Sequence, residues 1–215
     1  MNVSLFDAFS SRPNRLYFAR IAADLFPKSA DLLEIGCGDG RGAAYLSAFG
    51  CQVTAMDRDP HVYESAKADC PQVNFICGDA ECLPFASKQF DGVLCEASFS
   101  SVLKKEAAAA EICRVLKPSG VLVICDYVLE KDMSDSAKPP ALSGALTDHG
   151  YHRLFREAGF EICEALEQRA FLVSLILHLC KVFEKPFGEL MTYLGTAQEK
   201  YGFKMYVMKK REGFL

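Results

Sequence analysis

Short apolar runs alternate with amphipathic stretches from residue 31 to about residue 127. Asp31–Gly36 is an apolar run ending in glycine, and Arg41–Phe49 follows as a predicted helix with Ala43, Ala44, Leu46 and Phe49 apolar. Gln52–Asp57 reads as a second strand. Asp59-Pro60 then opens a helix, with the aspartate as its cap and the proline in its first turn. Val73–Asp79 and Phe90–Glu96 are the next strands, separated by a loop containing Leu83-Pro84-Phe85. Glu106–Leu116 is an alanine-rich helix stopped by Lys117-Pro118-Ser119-Gly120, and Val121–Tyr127 is the fifth strand. This alternation predicts βαβ units and a parallel sheet. The strands are almost continuously apolar, as expected when helices cover both faces.

After Tyr127 the pattern changes. Glu130–Gly150 is polar, contains Pro139-Pro140 and reads as a loop. Thr147–Ala158 predicts a helix, with Thr147 as cap and Gly159 as a left-handed stop. Phe160–Arg169 and Tyr201–Lys210 are expected as two late strands. Between them, Ala170 to Phe183 holds eleven apolar residues in fourteen. Ser174, His178 and Lys181 interrupt it, and it falls short of the ~20 residues of a membrane span.

The 215 residues are half apolar and 24% charged, which predicts one domain with a sizeable core and excludes a disordered chain. The 24 basic against 28 acidic residues give a net charge of −4, so no basic excess points to nucleic acid. Ten cysteines occur without a C-x-x-C pair, and the closest two, Cys77 and Cys82, have no second pair to complete a zinc site. Small apolar core thiols in a reducing compartment are the expected reading, with no metal. The start, Met-Asn-Val-Ser-Leu-Phe-Asp, has neither a basic head nor an apolar signal core, so the expected location is cytoplasmic.

Leu33-Glu34-Ile35-Gly36-Cys37-Gly38-Asp39-Gly40 joins a buried strand directly to a helix. Glycines there let the backbone turn sharply and approach a ligand, and the helix N-terminus offers free N–H groups to an anion. Asp57 ends the next strand twenty-one residues after Gly36, where an acid can accept from both hydroxyls of a ribose. A nucleoside-containing ligand at the carboxyl ends of parallel strands is implied. A dinucleotide fingerprint fails from Gly36, because Arg41 stands at its sixth position. Counted from Gly38 it fits formally, ending at Ala43, if the strand ends two residues later. That leaves a nicotinamide-dependent oxidoreductase open beside other nucleoside binders.

Glu34-Ile35-Gly36-Cys37-Gly38-Asp39-Gly40 resembles the E/D-x-G-x-G-x-G first motif of class I S-adenosylmethionine-dependent methyltransferases. Three further segments match in order and spacing. Val53–Asp57 resembles the second-strand acid, and Gly78-Asp79-Ala80-Glu81 with its sequel resembles the adenine-recognition segment. Glu111–Gly120 resembles the helix and turn before the fifth strand. The set is similar to the small-molecule methyltransferases with a ubiquinone/menaquinone-type domain.

The resemblance implies a Rossmann-like, doubly wound α/β sheet of seven strands, mostly parallel with the last strand antiparallel. It implies S-adenosylmethionine as cofactor and a small molecule as methyl acceptor. Glu34, Gly36, Cys37, Gly38 and Gly40 would hold the methionine end, and Asp57 the ribose. Arg58 would lie beside the adenine, Asp79 would accept from its amino group and the Ala80 backbone would read its edge. Cys95 and Glu96 would line the floor near the sulfonium, with Cys37 and Cys95 both facing the cofactor.

An oxygen or nitrogen acceptor must lose a proton, and the candidate bases are Glu96, Asp126, Tyr127, His149 and His152. The single domain, 1–215, divides into a helical lid over 1–30, a cofactor core over 31–127 and a substrate-side half over 128–215. Within the last, a helical insertion at 170–200 would roof an apolar substrate, bury a homodimer face or pack on the sheet. Pro140–Leu146 faintly resembles a C-x-x-G-A-L stretch of arsenite methyltransferases, but Ala141 stands where that family has a metalloid-binding cysteine. A non-catalytic module that only binds the cofactor is a further alternative.

Overall fold

The computed structural model describes residues 16–131, 144–193 and 201–214. Helix α1, Tyr17–Leu25, precedes strand β1, Asp31–Ile35. Then follow α2 (Arg41–Phe49), β2 (Gln52–Asp57), α3 (Pro60–Asp69), β3 (Asn74–Cys77) and β4 (Phe90–Glu96). A 3₁₀ turn at Phe99–Ser101 leads into α4, Lys105–Val115, and the long strand β5, Leu116–Leu129. The rest comprises β6 (Leu146–Thr147), α5 (Asp148–Glu157), β7 (Phe160–Glu167), α6 (Arg169–Val182), α7 (Phe187–Tyr193) and β8 (Tyr201–Lys210).

Seven strands run in the order β3-β2-β1-β4-β5-β8-β7, and the two-residue β6 pairs with the end of β5. The first five are parallel, whereas β8 is antiparallel to both β5 and β7. The seven-stranded, mostly parallel sheet with its last strand reversed is therefore as expected, with β6 as a small addition. Alternate residues feed two apolar layers. Leu32, Val53, Ala55, Leu94, Val123 and Met205 face one way, towards α1, α2 and α6. Leu33, Ile35, Met56, Val93, Ile124 and Tyr206 face the other, towards α4 and α5. Most of these positions are buried, and such double coverage explains the unbroken apolar runs.

Helix ends follow local chemistry. The Asp59 carboxylate accepts from the His61 N–H at 2.9 Å, and Thr147 Oγ1 accepts from the Gly150 N–H at 3.1 Å. Lys210 Nζ donates to the carbonyls of Cys113 and Leu116, at 2.7 and 3.0 Å, where α4 ends.

One boundary differs from expectation. Lys117–Gly120 does not separate a helix from a strand; it lies within β5. Pairing steps from Phe90↔Leu116 to Gly92↔Val121, so these four residues loop out of the ladder as a bulge. Pro118 has no N–H to give a ladder and Ser119 has a φ of +59°, which excludes regular pairing there.

Helix α1 lies on the sheet face beside α2, burying Phe18, Ala19, Ala22 and Ala23. The earlier part of the segment expected as a lid, up to residue 15, lies outside the described residues. Helix α6 packs on the same face through Phe171, Leu175 and Leu179, with Phe18, Phe171 and Phe203 in mutual ring contact. Val173 and Leu177 point outward. No helix among the described residues is long and apolar enough to cross a membrane.

Candidate functional site

The strand order reverses between β1 and β4, and a ligand crevice is expected beyond the carboxyl ends of strands at such a point. The two lips are tied together there, with Ser98 Oγ donating to the Ile35 carbonyl at 2.8 Å. Gly36, Gly38 and Gly40 have φ of +72°, +52° and +72°, a left-handed succession that glycine adopts without strain. A Cβ on Gly36 would stand 2.3 Å from that of Ser98. The turn is held from below, since Gly36 and Cys37 both donate N–H to the Met56 carbonyl, at 2.7 and 3.1 Å. Because β1 ends at Ile35, Gly36 is the first residue after the strand, so the frame that begins at Gly38 does not apply.

Beneath the turn lies Glu34, only 4% exposed. Its carboxylate accepts the Ala43 N–H at the start of α2, and a Cβ on Gly42 would stand 2.4 Å from Oε1. Oε2 has no partner. Burial, then the charges of Glu96 and Asp39, push the carboxyl up to about 8. An acid held so deep, with an oxygen unused and further acids around it, suits a cationic ligand group.

Asp57 closes the next side. Oδ2 accepts from the Gly38 N–H at 3.0 Å and Oδ1 from the Asp59 N–H at 3.1 Å, which fixes the carboxylate. Each oxygen still has a lone pair for a ligand hydroxyl. Asp79 begins the loop after β3, Oδ1 accepting from the Glu81 N–H at 2.9 Å, while Ala80 is buried and Arg58 exposed. That loop has no helix or extended strand of its own. It is pinned from α4, where Arg114 forks onto Glu111 at 2.7 and 2.8 Å and donates to the carbonyls of Leu83 and Phe85. Glu111 in turn accepts the Leu83 N–H at 2.8 Å, and Glu81 accepts the N–H groups of Leu103 and Lys104.

Residues 33–124 match the methyltransferase domain family. The chain is 34% identical over 180 residues to the uncharacterized methyltransferase YodH of Bacillus subtilis, a match covering 76% of this chain and 75% of that one. This chain belongs to the class I S-adenosylmethionine-dependent methyltransferases. Its cofactor is accordingly S-adenosylmethionine. The O-methyltransferase cnsE of Penicillium expansum is 31% identical over 169 residues, covering 71% of this chain and 58% of its own. Among solved structures, the phosphoethanolamine N-methyltransferase 2 of Haemonchus contortus has the same fold, with a TM-score of 0.75 at 18% identity. That match covers 93% of this chain and 53% of the worm enzyme.

The remaining expected residues of this methyltransferase separate into two groups. Glu96, at the end of β4, lies near enough to Glu34 to raise its pKa. Cys37 is 7% exposed and beside Glu34 and Asp57, and burial pushes its thiol up, away from the reactive thiolate. Cys95 does not face the crevice. It points with Leu33 and Ile35 into the α4–α5 layer and is wholly enclosed, because side chains along β4 alternate and Leu94 takes the Glu34 side.

Asp126 is also fully buried. Oδ2 accepts the Ser100 N–H at 2.6 Å and Oδ1 the Tyr127 N–H at 2.7 Å. Burial raises its pKa against these bonds and the nearby Lys105 charge. It holds the turn after β4 and offers no open face for proton transfer. Tyr127 packs its ring edge-on to Tyr201 and Phe203, and its carbonyl accepts from Tyr151 Oη at 3.2 Å. His149 is exposed in the first turn of α5. His152, one turn on, lies 3.8 Å from Asp148, which also meets Lys204 at 3.2 Å and Tyr206 Oη at 2.8 Å. Ala141 and its neighbours up to residue 143 lie outside the described residues.

Sequence reading missed Ser98, Gly42 and above all Lys105. The Lys105 ammonium is buried and donates to the carbonyls of Phe99, Ser100 and Val102 at 3.0, 3.2 and 2.7 Å. A lysine at the start of a helix carries no sequence signal for such burial. All ten cysteines are free thiols, six of them buried, and no metal-ligating group of three occurs among the described residues.

Proposed function

We propose that this methyltransferase transfers the methyl group of S-adenosylmethionine to a small-molecule acceptor, through the crevice between β1 and β4. The observation that carries this reading is the unpartnered Glu34 oxygen beneath the glycine turn, faced by Glu96, Asp39 and Asp57. Glu34 and the turn of Gly36, Cys37, Gly38 and Gly40 hold the methionine end. Asp57 receives the ribose hydroxyls, and Asp79 with the Ala80 backbone receives the adenine, beside Arg58. The cofactor supplies a methyl already activated on a cationic sulfur, so the protein's work is alignment at about 3–3.5 Å and exclusion of water.

Glu96 is the acid best placed to take a proton from an acceptor hydroxyl or amine, because it shares the crevice wall with Glu34. His149 is the second candidate, exposed where α5 begins. A small acceptor is supported by the net charge of −4, which gives no overall basic excess to attract a polyanion. Of the similar proteins named, the phosphoethanolamine N-methyltransferase acts on a small acceptor, and it and the O-methyltransferase differ in acceptor atom.

The test is a thermal-shift titration followed by label transfer. S-adenosylhomocysteine is expected to raise the melting temperature, and NAD is not. Labelled methyl from S-adenosylmethionine is expected in the low-mass fraction of a cell extract. Stabilisation by NAD alone would overturn the cofactor assignment, and label confined to macromolecules would overturn the acceptor class. Binding without transfer to any component would make the chain a non-catalytic module.

A further inference from the structure

Among the described residues, the charged groups that act on Glu34 are acids. Asp39 approaches from the glycine turn, Asp57 from β2 and Glu96 from β4. The other titratable neighbours are the thiols of Cys37 and Cys95, both kept neutral by burial. Arg41 lies on the adjoining helix, but its guanidinium pairs with Asp39 at 3.2 Å on the exposed side. No cation among the described residues touches Glu34, and one oxygen lacks any hydrogen-bond partner. An ionised carboxylate in this position would be buried, supported only by the Ala43 N–H among the described residues, and repelled by three acids. A ligand ammonium relieves the last two conditions, bringing N–H donors for the unused oxygen and a positive charge into the acid wall.

We propose that cofactor binding expels a proton from Glu34: the free protein holds this residue as a neutral acid, and the cationic methionine end of the ligand converts it to a carboxylate. The inference rests on the S-adenosylmethionine reading of the crevice. The Glu34 O–H bond breaks, its proton passes to the buffer, and the carboxylate pairs with the ligand ammonium. Nothing else is consumed. The Glu34 pKa of about 8 in the free protein sets the window in which this exchange is visible. Below it, affinity for the ligand rises roughly tenfold per pH unit, as required when one proton leaves on binding; above it, the dependence flattens.

Calorimetry with S-adenosylhomocysteine as the probe tests this directly, because it carries the same ammonium. Binding is measured at pH 7 in phosphate and in Tris, whose ionisation enthalpies differ. The slope of binding heat against buffer enthalpy counts the protons released. Close to one proton is expected at pH 7 and clearly fewer at pH 8.5, with the dissociation constant falling about tenfold between pH 6.5 and 7.5. The Glu34→Gln variant is expected to release none. If that variant does not fold, the wild-type slope decides by itself. Tight binding with no proton released overturns the inference and leaves the cofactor reading intact, whereas no binding at any pH overturns the cofactor reading itself. Continued release from the glutamine variant places the proton on another group and also overturns the inference.

Discussion

Glu34 at the end of β1 and Asp126 towards the end of β5 are both acids buried in one sheet, and burial raises the pKa of each. Their surroundings are opposite. Each Asp126 oxygen accepts a backbone N–H, and the buried Lys105 charge favours its ionised form. Among the described residues, Glu34 accepts one N–H, leaves an oxygen unused and has acids as its charged neighbours. A satisfied buried acid is architecture, here fastening the turn at Phe99–Ser101. An unsatisfied one is a cost to the fold, and it marks where the proposed ligand would act. Both were candidates from sequence, and the state of their hydrogen bonds tells them apart.

Glu34→Gln gives the largest expected effect, and its sign is the opposite of an ordinary core change. The native pKa of about 8 lies above the ordinary 4.5. Between those values the native chain binds more protons than the unfolded one, so stability falls as pH rises, by about 1.4 kcal/mol per unit. Glutamine does not ionise and escapes this loss. At pH 7.5 the variant is expected to be more stable than wild type by roughly 4 kcal/mol, with the gap closing as pH falls towards 4.5. Urea unfolding at both pH values measures it. A variant less stable than wild type at pH 7.5 would mean that Glu34 is ionised and compensated in the free protein.

Asp126→Ala is next, in the other direction. It leaves two buried N–H groups without acceptors and removes a negative charge that favours the buried Lys105 ammonium, a loss of ~3 kcal/mol. The same unfolding experiment reads it out. A change below about 1 kcal/mol would show that Asp126 is not fully engaged and would break the contrast with Glu34.

Much of this arrangement was legible before any coordinates. The β1 and β2 boundaries coincide with Gln52–Asp57 and the apolar run from Asp31, because doubly covered strands leave an unbroken apolar record. Thr147 and Gly159 marked α5 correctly, since caps are local chemistry. What failed was orientation. Cys95 and Glu96 looked equivalent at the end of β4, yet adjacent strand residues face opposite layers. The pairing Glu34↔Leu94 that puts Leu94, and by alternation Glu96, on the Glu34 side is a non-local fact. The Lys117–Gly120 bulge escaped for a related reason. Proline and glycine announce a break in regular structure without saying whether a helix ends there or a strand loops outward.

The smallest expected effect tests how far the site extends from the crevice. Arg114 touches no candidate ligand position, but with Glu111 it anchors the loop that carries Asp79 and Ala80. Both partners are partly exposed, and the carbonyls released on Arg114→Ala can turn to water, so the loss of stability is ~1 kcal/mol. The loosened loop must then be ordered by the ligand, which raises the S-adenosylhomocysteine dissociation constant about fivefold. Lys117→Ala is the control. Lys117 bridges Asp31 and Asp91 at 3.1 and 2.9 Å, where β1 begins at the opposite end of the strands, and its loss is expected to leave the dissociation constant unchanged. Calorimetry on the two variants side by side separates an anchored Asp79–Ala80 loop from general destabilisation. Equal weakening in both would mean that general destabilisation, and not the loss of the Arg114 anchor, loosens the site, and would break the proposed link from Arg114 to the ligand.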